Sequence, residues 1–413
     1  MTLAIRRKRV GSLGPGAATA LAGDRLTIDI DALQAFVAGR DERIEAVHVH
    51  IAAPGESVRI LCAKDVIEPR VKLAGDSPGE GTTLILDGVA VVTTGPIVGF
   101  QEGVIDMTGP GADYSPFSSL GLVVIEIEVR AGTPPHEHEA AVRAAGLDAA
   151  GHIAAQCADV VPDRTDDLAW NETDVDAALP RVAYVDMLLS QGLLHDTYVL
   201  GRSAIEGLPR SLDPRVAIDG GIVSGNCVSA CDKTTTWHHQ NNPVITRLLD
   251  GHGKRWNFVG LVLTNVPTRL AEKQRSAERA VALVRELAPA GALVSKEGFG
   301  NPDADLMMLL RGLESAGIRT VAITDEYAGP DGDSQSLADT APEADALISV
   351  GNANAKLRLP PMDRVIGPLP DVARLAGGYP HSLGDDGSLE VELQAIVGAT
   401  NQLGFSSLSC REI

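Results

Sequence analysis

The 413-residue chain carries 35 Lys and Arg against 55 Asp and Glu, a formal charge of −20, with 44% apolar and 22% charged residues. That is the balance of an ordinary globular protein long enough for two or three domains, and with aromatics at 3% the core must rest on Ala, Val, Leu and Ile. A pI near 4.9 argues against a nucleic-acid partner, and no run reaches the ~18–20 apolar residues that span a bilayer, so neither nucleic acid nor membrane is expected.

Met1–Val10 has basic residues with no apolar stretch behind them, so no secretory leader is expected. Cysteines at 62, 157, 227, 231 and 410 are odd in number and scattered, which fits a reducing cytoplasm better than a disulfide framework.

In chain order, the first hundred residues alternate extended runs with turns. Ala46–Ile51, Ser57–Leu61 and Thr82–Val92 are rich in Val, Ile and Thr, and Pro54-Gly55 and Asp87-Gly88 punctuate them. Ala32–Val37, between Asp29 and Gly39, reads as a short helix. This region is expected to be an antiparallel-rich α+β unit. In Leu120–Val129, Glu126 and Glu128 alternate with apolar residues, as in a strand with one wet face. After Pro134-Pro135, His136–Val160 has helical periodicity, a second helix is expected near Val182–Leu194, and Thr197–Leu200 is extended. Gly201–Gly225 shows little periodicity, yet Val216, Ile218, Ile222 and Val223 make it an ordered connector.

The last third alternates strand and helix. Phe258–Leu263, Ala292–Val294, Thr320–Ile323 and Ala346–Val350 read as buried strands. Leu270–Ala288 is a helix with Ala277, Val281, Val284 and Ala288 on one stripe. Asn301 is expected to cap another, with Pro302 at its first position and Gly317 beyond its end. A series of this kind implies a parallel sheet with right-handed crossovers. Polar residues gather after each strand: Asn265, Lys296-Glu297-Gly298, Thr324-Asp325-Glu326 and Gly351-Asn352-Ala353-Asn354. Ligand crevices of open parallel sheets lie there, which makes Glu297 and Asn352 candidate site walls.

The most unusual stretch runs from Ser224 to Pro243. Two of the five cysteines, two of the ten histidines and one of the three tryptophans fall within the thirteen residues Cys227–His239. Several readings compete. Cys227, Cys231, His238 and His239 are possible zinc ligands, but adjacent histidines and this spacing suit one ion poorly. Cys227 and Cys231 form C-x₃-C, not the C-x-x-C of a redox pair. Buried, inert cysteines are the bland alternative. The fourth reading is self-cleavage: the Cys227 thiolate attacks the Asn226 carbonyl, elimination leaves dehydroalanine, and hydrolysis yields a pyruvoyl group. Such a ketone captures an amine as an imine and draws electrons from it.

The run Gly225-Asn226-Cys227-Val228-Ser229-Ala230-Cys231-Asp232-Lys233, followed by His239-Gln240-Asn241-Asn242-Pro243, resembles the processing site of the component B precursor subunits of glycine, sarcosine and betaine reductases. The D-proline reductase proprotein is a more distant likeness. Glu137-His138-Glu139, Glu297–Asp305, Glu326-Tyr327-Ala328-Gly329, Gly351–Asn354 and Pro360-Pro361-Met362 extend the resemblance over the whole chain.

The resemblance implies cleavage between Asn226 and Cys227, giving fragments of 226 and 187 residues from the 413. Cys227 would become the pyruvoyl cofactor and Asn226 the cleavage partner. The substrate would be a small amino acid or amine, and the partners selenocysteine-containing reductase subunits in a hetero-oligomer. His239, and less so His238, is a candidate for proton transfer. Asp232 is a candidate for orienting the thiol, and Lys233 for the substrate carboxylate. No metal is expected: His136–Glu139 reads as first-turn helix chemistry, and Asp331-Gly332-Asp333 lacks the closing glutamate of a calcium loop. The fold expected is α/β, with residues 1–226 as an N-terminal α+β region and 227–413 as a parallel-sheet, Rossmann-like domain. The competing function is an uncleaved, non-catalytic paralogue that binds a small amino acid.

Overall fold

The computed structural model describes residues 2–98, 103–171, 176–190, 197–225 and 234–405, and the backbone of 409–412. The N-terminal half is built on short sheets. Leu3–Arg9 lies between Arg164–Leu168 and Gly81–Asp87, antiparallel to the first and parallel to the second. Ile44–Ala52, Gly121–Val129, Val89–Thr94 and Asp65–Ile67 form a second four-stranded sheet. The pairings are mixed, so the region is less antiparallel than its punctuation suggests. The helix Pro135–Gln156 covers the second sheet through Val142, Ala145, Ala149 and Ile153, which meet Val91, Val123 and Ile125. Small Ala side chains let helix and sheet approach closely. The helix expected over Ala32–Val37 is found as Ile30–Ala38, capped by the Asp29 carboxylate.

The other half is organised by a seven-stranded sheet. Its parallel strands, numbered in chain order, are β1 Arg181–Leu188, β2 Asn257–Asn265, β3 Gly291–Lys296, β4 Arg319–Glu326 and β5 Ala346–Asn352. They lie in the order 2-1-3-4-5, with Arg210–Leu212 antiparallel beyond β2 and Ser409–Glu412 antiparallel beyond β5. The helices are α1 Thr236–Gln240, α2 Pro243–Gly251, α3 Leu270–Glu286 and α4 Asn301–Ser315.

Two expectations are corrected here. Val182–Leu188 is not helical: it is β1, the central strand, flanked by β2 and β3. Ala183, Val185 and Met187 enter the core beneath α3 and α4, whereas Tyr184 and Leu188 join the core beneath α2. A strand buried on both faces shows no alternation, and Val182 and Val185 suit an extended backbone. In addition, Asn301 does not cap α4; it is the first helical residue, and Gly300, at φ 73°, precedes it without a side-chain cap. The Gly201–Gly225 connector is ordered, as expected, and contributes Arg210–Leu212 to the sheet edge and Ile222–Ser224 to a small sheet.

The limits of the sheet do not fall at residue 226. β1 precedes that point and its neighbours follow it, while Arg364–Ile366 pairs in parallel with Val58–Ala63. The two portions of the chain are interleaved.

Candidate functional site

Strand order locates the crevice. The chain leaves β1 toward β2 on one side and later crosses to β3 on the other, so the connections diverge between the carboxyl ends of β1 and β3. Ligands of open α/β sheets bind at such a switch point. Here the N–H of Glu297 donates to Met187 O at 2.8 Å, extending the β1–β3 pairing by one residue. This turns the Glu297 side chain back over the strand ends. Its Oε2 accepts the N–H of Leu189 at 2.6 Å and the hydroxyl of Thr197 at 3.1 Å. Its Oε1 lies 3.2 Å from His239 Nε2. Both side chains are buried, at 4% and 1% exposure, so water does not screen the pair.

α1 delivers His239. The Thr235 hydroxyl caps it by accepting the N–H of His238, while the Thr235 N–H donates to His238 Nδ1 at 3.0 Å. That bond fixes His238 with its proton on Nε2. His238 is packed among Phe117, Trp237 and Phe405, and burial holds its imidazole well below the usual range, with the charge of neighbouring His239 adding to the effect. The adjacent histidines therefore divide their roles: His238 is a neutral cap and packing residue, and His239 faces the carboxylate.

Asn226, Cys227, Asp232 and Lys233 lie outside the described residues, but both ends of their segment are tied to this pair. Upstream, Ser224 pairs with Thr197, the residue whose hydroxyl holds Glu297. Downstream, the Thr236 hydroxyl accepts the Ser224 N–H at 3.0 Å and donates to Asp65 Oδ2 at 2.6 Å. The Thr236 N–H donates to Asp65 Oδ1 at 2.9 Å. Asn401 Nδ2 donates to Thr234 Oγ1 at 3.1 Å.

The face of the sheet toward α1 carries further polar groups. Tyr184 Oη and Ser295 Oγ are 2.6 Å apart, and Ser295 Oγ donates to Asp186 Oδ1 at 2.9 Å. Burial raises Asp186 to about 6; the charge of His239 pulls it down and that of Glu297 pushes it up. Asp186 Oδ2, both ring nitrogens of His239 and Glu297 Oε1 are buried without hydrogen-bond partners, so the His239–Glu297 contact is an approach of the two groups and not a formed hydrogen bond.

The opposite face is stapled. Lys296 Nζ lies 2.7 Å from Asp303 Oδ1 and 3.6 Å from Asp325 Oδ1, and donates to Gly298 O at 2.6 Å. This clamps the Glu297–Gly300 loop against α4 and β4. Beyond it, exposed Phe299 stacks on Tyr327.

A family model for glycine/sarcosine/betaine reductase component B subunits matches residues 1–411. The chain belongs to this family. It is 50% identical over 390 residues, 90% of each chain, to a protein of Peptoclostridium acidaminophilum described as glycine reductase complex component B subunits alpha and beta. It is 47% identical over 392 residues, 91% of each chain, to that organism's sarcosine reductase complex component B subunit alpha. The D-proline reductase proprotein of Acetoanaerobium sticklandii is 25% identical over 291 residues, 62% of this chain and 45% of the relative. No solved structure matches the chain.

In this component B family member, His239 and Glu297 come together, whereas Asn352 does not join them. Asn352 Oδ1 accepts the Ala328 N–H at 3.2 Å and its Nδ2 donates to Gly329 O at 2.8 Å, securing the loop after β4. Glu139 is buried, bonded to Arg143 at 2.8 Å and to the Tyr198 hydroxyl at 3.2 Å, so the Glu137-His138-Glu139 motif braces the strand beside the site. Sequence reasoning missed Asp186, hidden in the run taken for a helix, and the buried Thr400-Asn401-Gln402 wall, which reads as a polar loop. Cavities of about 950 Å³, beside Ser190 and Asn265, and about 480 Å³, beside Glu326 and Ser349, open at the strand ends; neither is lined by His239 or Glu297. Among the described residues no cluster of three His, Cys, Asp or Glu is arranged to hold a metal ion, and no helix is long and apolar enough to cross a membrane. Cys62 and Cys157 are buried.

Proposed function

We propose that the chain is cut between Asn226 and Cys227, that Cys227 becomes a pyruvoyl group, and that the product serves as a subunit of an amino-acid reductase complex of the glycine/sarcosine/betaine type. The substrate is a small amine, cleaved reductively at its C–N bond with a selenocysteine-bearing partner in the cytoplasm. One observation carries the reading: both ends of the Asn226–Lys233 segment are fastened around a buried imidazole–carboxylate pair, through Ser224–Thr197–Glu297 on one side and the Thr236 anchor of the His239 helix on the other. The relative described as component B subunits alpha and beta, and the one described as a proprotein, support it.

The residues fit a protein-borne ketone. Such a group supplies an electrophile for an amine, and it needs a proton donor at its oxygen and acceptors for the incoming nitrogen. His239 offers the donor and Glu297 the acceptor, and both have buried polar atoms left unpaired. Glu297, held by Leu189 N–H and Thr197, orients His239 and balances its charge; His239 moves a proton to and from the reacting atoms. Sealing the pair from water strengthens both effects.

Intact-mass measurement tests the reading. The sulfur leaves with the Asn226 acyl group as a thiocarboxylate, from which water releases H₂S, and the nitrogen leaves as NH₃ while water supplies the ketone oxygen, so the C-terminal fragment should be lighter than encoded by ~33 Da and react with phenylhydrazine. His239→Gln should slow cleavage by ~10²-fold or more. A single, carbonyl-free chain recovered from its native source would leave the uncleaved amino-acid-binding paralogue instead.

A further inference from the structure

We propose that Asp65, on the strand Asp65–Ile67 of the N-terminal half, is a positioning residue that sets His239 against Glu297 by way of Thr236. The inference deepens the reading above, since it rests on His239 and Glu297 being the reacting pair. Its basis is a closed circuit of contacts. Glu297 Oε2 accepts the Thr197 hydroxyl at 3.1 Å, and Thr197 pairs with Ser224 across the small sheet. The Ser224 N–H donates to Thr236 Oγ1 at 3.0 Å. Thr236 opens α1, and α1 carries His239 back to within 3.2 Å of Glu297 Oε1. Thr236 is therefore the joint between the sheet that holds the carboxylate and the helix that holds the imidazole.

Asp65 sets the sense of that joint. A threonine hydroxyl has one proton and two lone pairs, whereas an ionised carboxylate can only accept. The Thr236 hydroxyl gives its proton to Asp65 Oδ2 at 2.6 Å, which leaves a lone pair for the Ser224 N–H. Asp65 Oδ1 takes the Thr236 N–H at 2.9 Å, so one carboxylate grips both the backbone and the side chain of the joint. The carboxylate is itself oriented, because Oδ1 also accepts the Val66 N–H at 2.9 Å on a strand paired with Val89–Thr94. A second tie fixes the far end of the helix, where the Glu68 N–H donates to Gln240 Oε1 at 3.0 Å, one residue beyond His239. The N-terminal half thus holds α1 at both ends. Asp65, Ser224 and Thr236 are at most 2% exposed, so water does not stand in for a lost bond. An amide at position 65 turns an N–H₂ toward one of the two Thr236 donors, and that donor loses its acceptor.

The test compares full-length Asp65→Asn, Thr236→Val and Thr236→Ser with the parent in three measurements: the rate of cutting, the urea midpoint, and backbone deuterium exchange over residues 222–225 and 234–242. Displacing a reacting group by about 1 Å costs ~10²-fold, so Asp65→Asn and Thr236→Val should slow cutting by ~10–100-fold. Thr236→Ser keeps the hydroxyl and should recover most of the rate that Thr236→Val loses. Exchange over the two stretches should rise by ~10-fold or more in Asp65→Asn and Thr236→Val and stay near the parent's in Thr236→Ser. Cutting at the parent's rate in the first two variants overturns the proposal. So does a slowing that tracks the fall in urea midpoint and is not restored by Thr236→Ser, since a purely structural role gives that pattern. If Asp65→Asn does not fold, the two Thr236 variants decide. If the parent itself is never cut, the processing reading fails and exchange decides: a rise confined to these stretches keeps Asp65 as the residue that positions α1, and unchanged or uniformly raised exchange overturns it.

Discussion

His138 shows how a single side chain in this fold is set by its surroundings. It stands in the first turn of the Pro135–Gln156 helix, one residue before buried Glu139. Burial, with the charge of Lys64, lowers it from 6.5 to about 4. The unfolded chain therefore takes up this proton first on acidification. The contribution to stability is complete above pH 6.5 and is lost as pH falls toward 4. At ~1.4 kcal/mol per unit it amounts to at most ~3 kcal/mol. His138→Gln should flatten the fall in urea midpoint between those pH values and leave stability at pH 8 within ~1 kcal/mol of the parent. An unchanged slope would assign the acid sensitivity to other groups, buried His238 among them.

At the scale of elements, the fastening of α4 depends on charge inside the protein. Lys296 is fully buried and meets Asp303 from α4 and Asp325 from β4. A buried ion pair adds little net stability over apolar packing, but removing one partner strands the other. Lys296→Met should therefore destabilise the chain by ~3–5 kcal/mol in urea unfolding, and pairing it with Asp303→Leu should recover part of that loss. The elements also differ in how visible they were. Phe258–Leu263 was plain as a strand because its run is short, apolar and bounded by polar residues. Val182–Leu188 has the same burial, but it is followed by Leu189 and a Leu-rich stretch, so length and composition pointed to a helix. With β1 misassigned, Asp186 could not be aligned with Ser295, and that half of the site stayed out of view. His239 and Glu297 were legible from motif and position after a strand; their pairing, made by tertiary packing across 58 positions, was not.

For the whole molecule, the interleaving of the two portions of chain sets what a backbone break can do. β1 is hydrogen-bonded along both edges to strands that come after residue 227, and Val58–Ala63 receives Arg364–Ile366. Chains cut at 226 should co-elute at the mass of the intact protein on gel filtration and separate only in denaturant. Two peaks under native conditions would contradict this. Because a sheet lacking its middle strand exposes apolar faces on both sides, neither fragment should refold by itself.

The position of β1 also imposes a sequence of events in time. The residues that would drive the proposed scission meet only after that strand has inserted between its neighbours. If the chain is cut as proposed, folding comes before scission, and a cell making the halves from separate messages should not obtain the same product.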